Sequence, residues 1–246
     1  MADLRNYQTR TAQAQTGAVI DAGLRSYMLK VYNLMAMGLA ITGLAAYFTF
    51  AMAVQDNTLT AFGQAIFQSP LRYVVMLAPL GMVFFLSFRI HTMSVGAAQM
   101  AFWVYAGLMG LSLSSIFLVY TQASITQTFF VTAASFGALS LYGYTTRRDL
   151  SAIGSFLVMG LFGLLIASLV NIFLASSALN FAISAVGVLV FAGLTAWDTQ
   201  KIKESYYEAD GADMAGRKAI MGALQLYLDF INLFLFMLRF MGNNRN

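Results

Sequence analysis

The chain has 246 residues, of which 59 % are apolar and only 10 % charged, with a mean hydropathy of +0.71. Soluble domains carry roughly 25 % charge to stay in water, and disordered chains combine low hydrophobicity with high charge, so both a soluble enzyme and a disordered polymer are excluded. There is no cysteine, which removes disulfides, thiolate metal sites and cysteine nucleophiles, and the net charge of +4 is distributed in a way that membrane topology explains.

Met1 to Lys30 is polar, with Arg5, Arg10, Arg25 and Lys30 set against Asp3 and Asp21. It reads as a cytoplasmic tail over residues 1–30. An apolar run follows from Val31 to Val54. Its end, Ala51-Met52-Ala53, resembles a signal-peptidase site. The run is far longer than the roughly 7–15 apolar residues of a signal peptide, however, and reads as an uncleaved first transmembrane helix. A hydrocarbon core of about 30 Å needs about 20 residues of apolar helix. On that measure further spans are expected near Tyr73–Phe88, Ala97–Tyr120, Gln127–Tyr144, Ala152–Ala175 and Leu179–Trp197. The second contains Pro79 and is expected to kink, its freed carbonyl satisfied by neighbours. A seventh segment, Ala219–Met241, is apolar apart from Gln225, Asp229, Asn232 and Arg239. Connections are short, and only Asp56–Arg72 and Thr199–Lys218 are longer. The expectation is an all-α polytopic membrane protein with one seven-helix domain over residues 31–242 and a short tail at 243–246.

Lys and Arg set the orientation. The N-terminal tail, Arg89, Arg147 with Arg148, and Lys201, Lys203, Arg217 and Lys218 all fall on one side if the N-terminus is cytoplasmic, with His91 beside them. Across the membrane only Arg72 stands in an intervening loop. Arg239 and Arg245 are discordant if the last segment spans fully, and a segment that only enters the bundle would avoid this. The cations sit at short loops with no stripe of interleaved aromatics, so nucleic acid is not an expected partner; the lipid bilayer is. Small residues at spacings of three and four, Gly160/Gly163/Ala167 and Ser184/Gly187, are those over which helices approach closely in lipid. The Met and Phe residues read as packing, and Trp103 and Trp197 as interfacial anchors.

Ionisable groups inside a membrane span cost at least about 2.5–3.5 kcal/mol at its centre, so each needs a reason. Asp229, in Leu226-Tyr227-Leu228-Asp229-Phe230, has about ten residues of apolar helix on either side, which places it roughly 15 Å from each end. Asp198 follows the sixth apolar run and lies about one turn inside if that helix continues through Lys203. The sixth and seventh helices run antiparallel, so the two carboxylates can meet in the cytoplasmic half. Two carboxylates in a low-dielectric site do not readily both ionise, and the pair holds one proton near neutral pH. Protonated, they bond to each other and draw the helices together. Deprotonated, they repel and offer oxygens to a hard cation such as Ca²⁺. Arg89, at the end of the second helix, is either a snorkelling interface residue or a counter-ion for the pair. His91 lacks any second His or Cys to share a metal, and Arg147-Arg148-Asp149 reads as a solvated loop.

Leu226-Tyr227-Leu228-Asp229-Phe230-Ile231-Asn232-Leu233-Phe234-Leu235, followed by Leu238-Arg239, resembles the terminal signature of the Bax inhibitor-1/YccA-like family. Asp198-Thr199-Gln200-Lys201-Ile202 is similar to the end of that family's sixth helix, and Tyr142 to Ser151 is similar to a loop signature of its bacterial members. The resemblance runs from about Lys30 to Gly242. It implies six helices surrounding a central seventh, a bacterial inner-membrane location and a monomer without cofactor. It further implies a pH-sensitive calcium leak channel whose di-aspartyl sensor and ion site would be Asp198 and Asp229, with Arg89 as the gating arginine. Some bacterial members are associated with an FtsH-type membrane protease, which gives a second expectation: an interaction protein that modulates proteolysis without conducting ions. The Asp198–Asp229 loop, with Glu204, Glu208, Asp210 and Asp213, is longer than in compact members. Two membrane aspartates also suit an aspartyl protease. Those enzymes place the second aspartate in Gly-x-Gly-Asp, whereas Leu226-Tyr227-Leu228 precedes Asp229 here. No span holds a His for a serine protease, and no P-loop or dinucleotide fingerprint appears. No enzymatic activity is expected.

Overall fold

The computed structural model describes the backbone of residues 2–245 and the side chains of residues 22–245. Helix α1 (Ala2–Ala53) is followed by a hairpin of two-residue strands, β1 (Val54–Gln55) and β2 (Thr58–Leu59), and a short α2 (Ala61–Phe67). Then come α3 (Leu71–Arg89), a 3-10 turn (Ile90–Thr92), α4 (Val95–Leu113), α5 (Ile116–Val119) and α6 (Gln122–Thr145). The chain ends with α7 (Ser151–Leu174), α8 (Ser177–Glu204) and α9 (Ala212–Met241). Among the described residues seven helices are long and apolar enough to cross a membrane. The protein is an all-α polytopic membrane protein.

Several boundaries differ from those the hydropathy predicts. The segment ahead of Val31 and the first span form one continuous α1; the first 21 residues of the expected tail lie outside the described side chains. The connection at residues 54–70 is not plain loop. Asp56 and Asn57 both take left-handed backbone (φ 49° and 61°), the conformation of a tight hairpin turn for which Asn and Asp are suited. Helix α3 runs as one element through Pro79. The expected third span stops at Leu113 and resumes as the short α5. The long connection after the sixth span is mostly helix, because α8 reaches Glu204 and α9 already starts at Ala212. Ser or Thr caps several helix starts: Thr60, Ser94, Thr121 and Ser176 each accept from the backbone N–H three residues on.

Helix α9 is the most enclosed span: 61 % of its apolar window is buried, against 6 % for α7. It packs directly on α1, α4, α6 and α8, whereas α3 lies chiefly against α4, and α7 against α8. At 30 residues it is about 45 Å long, more than a hydrocarbon core requires. Its start sits beside the end of α8, with Lys218 Nζ donating to Ser205 O (3.0 Å). Its end sits beside α5 and α6, where Arg245 N donates to Val119 O (2.8 Å) and Thr121 N to Asn243 O (3.1 Å). The seventh helix therefore crosses the whole bundle. The discordant Arg245 is held there by Phe117 O (3.4 Å) and Asn57 Oδ1 (3.2 Å), and Arg239 lies over the Phe236 ring at 5.8 Å. The C-terminal residues to Arg245 are thus a strap across the far end of the bundle.

Burial from water does not pull helices together in lipid, so close contact must do so. A Cβ on Gly143 would overlap the backbone of Ala196, and one on Gly110 would overlap the backbone of Thr42. These are the backbone approaches that bind α6 to α8 and α4 to α1. Gly187 meets Phe236 as the small-residue spacing suggested, but Gly163 faces open space on the exposed α7. Around α9, Tyr227 meets the edges of Phe102 and Tyr105 at 5.8 and 5.5 Å, and Phe230 meets Phe136 at 5.5 Å.

Candidate functional site

Asp198 lies within α8, six residues before its end at Glu204, so the helix does continue past Lys203 and carries the carboxylate inside. Around it, Thr195, Ala196, Thr199 and Gln200 are all buried. This burial follows from close approach: Gly143 lets α6 lie against Ala196, and Gly154 lets α7 lie against the Trp197 ring. Asp229 lies in the middle of α9 between the buried Tyr227, Phe230 and Ile231.

The structure brings the two aspartates together. Asp198 is 4 % exposed and Asp229 5 % exposed, and their carboxyl groups are within reach of a mutual hydrogen bond. Gln225, one helical turn before Asp229, donates from Nε2 to Asp198 Oδ1 at 2.6 Å. Asp229 Oδ2 is fully buried and receives no hydrogen bond from another residue among those described. An acceptor left bare in an apolar core is costly, and two bare carboxylates in contact are costlier still. A proton shared between the pair removes the repulsion between the two carboxylates and links α8 to α9. Loss of that proton leaves two like charges facing each other across the same interface.

Arg89 is not brought to the pair. It closes α3, is exposed, and makes no ion pair among the described residues. The single ion pair there is Lys218 with Asp210, at the start of α9. His91 is exposed beside Arg89, and Arg147, Arg148 and Asp149 are exposed in the α6–α7 loop. Ser151 holds the Asp149 carboxyl below the usual carboxylate range, first through its side-chain hydroxyl and then through its backbone N–H, which donates to Asp149 Oδ1 at 2.8 Å. No group of three or more His, Cys, Asp or Glu is placed to hold a metal among the described residues.

The polar partners that hold these helices in register are not visible in the sequence. Gln225 is there one polar residue in an apolar run; its role depends on facing Asp198 across the interface. Gln200 clamps the α6–α7 loop, accepting from Leu150 N and donating to Arg148 O, both at 2.9 Å. Tyr32, Ser140 and Thr199 form a chain of hydroxyls from α1 through α6 to α8, at 2.6 and 2.9 Å. Tyr227 OH meets Thr42 Oγ1 at 2.6 Å, and Thr42 also lies within reach of the carbonyls of Gly38 and Ala106. Single hydroxyls at helical spacing give no such signal, because Ser and Thr equally bond their own helix.

A family model described as "Inhibitor of apoptosis-promoting Bax1" matches residues 24–246. The chain is 49 % identical to a Rickettsia prowazekii protein, RP147, over the whole of both chains. It is also 49 % identical to the Escherichia coli inner membrane protein YbhL, covering 91 % of this chain and 94 % of that one. A Caulobacter vibrioides protein is 46 % identical over 98 % of each.

Proposed function

We propose, for a chain that belongs to the Bax inhibitor-1 family of membrane proteins, that it is a pH-sensitive cation leak, with calcium as the conducted ion. In this reading Asp198 and Asp229 are both the proton sensor and the ion ligands, and they handle protons and ions rather than catalyse a reaction. The observation that carries it is the buried contact of the two carboxyls, with Asp229 Oδ2 lacking a donor among the described residues. With the proton in place the pair ties α8 to α9 and closes the path. Without it, repulsion loosens the interface and presents carboxylate oxygens to a hard cation. Ca²⁺ prefers about six to eight oxygen ligands, so two carboxylates leave most of its shell to water. Such a site suits transit rather than storage.

Arg89 is proposed as a gating counter-ion in a second conformation, in which the outer helix α3 moves inward. The apolar spans, together with the relative named as an inner membrane protein, support a multi-pass location in a bacterial inner membrane. The cation bias supports a cytoplasmic N-terminus. The alternative, modulation of an FtsH-type protease, rests on the N-terminal tail as a handle, and deleting residues 1–20 without any change in proteolytic turnover would count against it.

The deciding measurement is Ca²⁺ flux into proteoliposomes across a pH series. Wild-type flux is expected to rise as pH rises and the pair loses its proton. In Asp198→Asn with Asp229→Asn that pH dependence is expected to vanish. An unchanged flux and pH profile in the double variant overturns the reading.

A further inference from the structure

At the end of the bundle where α9 begins lies a cavity of about 300 Å³ between the 3-10 turn, the end of α8 and the first turns of α9. Among the described residues its wall carries four basic side chains, His91, Lys201, Arg217 and Lys218, and no carboxylate. Among the described residues only Lys218 of this set forms an ion pair, with Asp210. Lys201 lies over the Trp197 ring at 5.0 Å and makes no ion pair among the described residues. Arg217 donates weakly from Nη1 to Met93 O at 3.3 Å, and its Nε is buried with no partner among the described residues. That weak bond leaves the Arg217 guanidinium with donors to spare, and the planar fork complements an oxyanion that takes two donors at once. Gln225, whose amide reaches Asp198, also lines this cavity.

We infer that this cavity is a binding site for a phosphate-bearing anion, held by Arg217 and Lys201 with His91 and Lys218 at its edge. Its position at the end of the spans is where lipid headgroups lie, and basic pockets between transmembrane helices bind such headgroups. A free phosphate has the same chemistry. The binding itself stands apart from the channel reading. Its regulatory consequence rests on that reading: unmatched cations in front of an acidic pair repel an entering Ca²⁺, and a bound anion cancels that barrier.

The test uses the full-length protein, with binding rather than flux as the readout, so failure of the channel reading leaves it intact. One arm measures phosphatidylglycerol retained by the detergent-purified protein by native mass spectrometry, with phosphatidylcholine as the comparison lipid. The other titrates inorganic phosphate into the protein in phosphatidylcholine nanodiscs. Arg217→Gln with Lys201→Gln is expected to weaken binding about tenfold or more, the scale of one charge-assisted hydrogen bond. Arg217→Lys is expected to retain part of it, and Arg147→Gln, an exposed cation at the same end, to leave it unchanged. Retained phosphatidylglycerol supports a lipid headgroup, and phosphate binding without lipid selectivity supports a free anion. No binding in either arm, or an equal loss in Arg147→Gln, overturns the inference.

Discussion

Gln225 donates to Asp198 across the α8–α9 interface at 2.6 Å, although the two residues are 27 apart in the chain. That bond occupies Oδ1 of Asp198, while Asp229, one turn farther along α9, lies against the same carboxyl and has its Oδ2 unsatisfied by any other described residue. The pair is therefore held in an asymmetric setting, one member anchored by an amide and the other dependent on a proton.

Stability should follow that proton. Below the pH at which the pair ionises fully, the shared proton joins α8 to α9; above it, two buried charges face each other. The thermal midpoint of the purified protein is expected to fall as pH is raised through the ionisation of the pair. Asp229→Asn keeps a neutral partner at the same place and should flatten the curve. A wild-type midpoint that rises with pH would contradict this.

Replacing Gln225 by Leu strips the donor from Asp198 Oδ1 in a buried site. The expected cost is about 1–3 kcal/mol of stability, the penalty of an unsatisfied buried acceptor, read as a lowered thermal midpoint. The loss should shrink in an Asp198→Ala background, where no acceptor remains, and a double-mutant cycle measures the difference.

Gly143 tests the close approach of α6 and α8. A Cβ there overlaps the Ala196 backbone, so Gly143→Val is expected to destabilise by roughly 1–3 kcal/mol or more through overpacking. Gly137, on the same helix, has open space where a Cβ would stand, with no neighbouring heavy atom within 4 Å, and Gly137→Val is expected to be tolerated. Folded yield from membranes and thermal midpoint compare the two.

The absence of native cysteine makes orientation directly readable. Thr58 sits in the far hairpin and Thr146 in the α6–α7 loop, at opposite ends of the bundle. With a cytoplasmic N-terminus, Thr58→Cys should react with a membrane-impermeant thiol reagent added outside, and Thr146→Cys only after permeabilisation. The reverse pattern would invert the topology.

Hydropathy along the chain is sufficient for seven spans, because the cost of exposing backbone and charge to lipid is added up along each helix separately. It also singles out Asp198 and Asp229, since a carboxylate within an apolar run stands out without reference to any neighbour. The hairpin at Val54–Leu59 and the helical extension of α9 to Ala212 escape it: one depends on two left-handed residues, the other on the close approach of Gly216 to Val95 and on the bonds of Arg217 and Lys218 to carbonyls of other segments. Which residues meet is beyond its reach. The contact of the aspartates, the role of Gln225, the exclusion of Arg89 from the pair and the full crossing of α9 all depend on the register and rotation of one helix against another. Those are decided by where backbones approach, at Gly143 on Ala196 and Gly110 on Thr42, and by hydrogen bonds between helices. Only the packed bundle determines them, because side-chain direction across an interface is a property of two helices and is written in neither one alone.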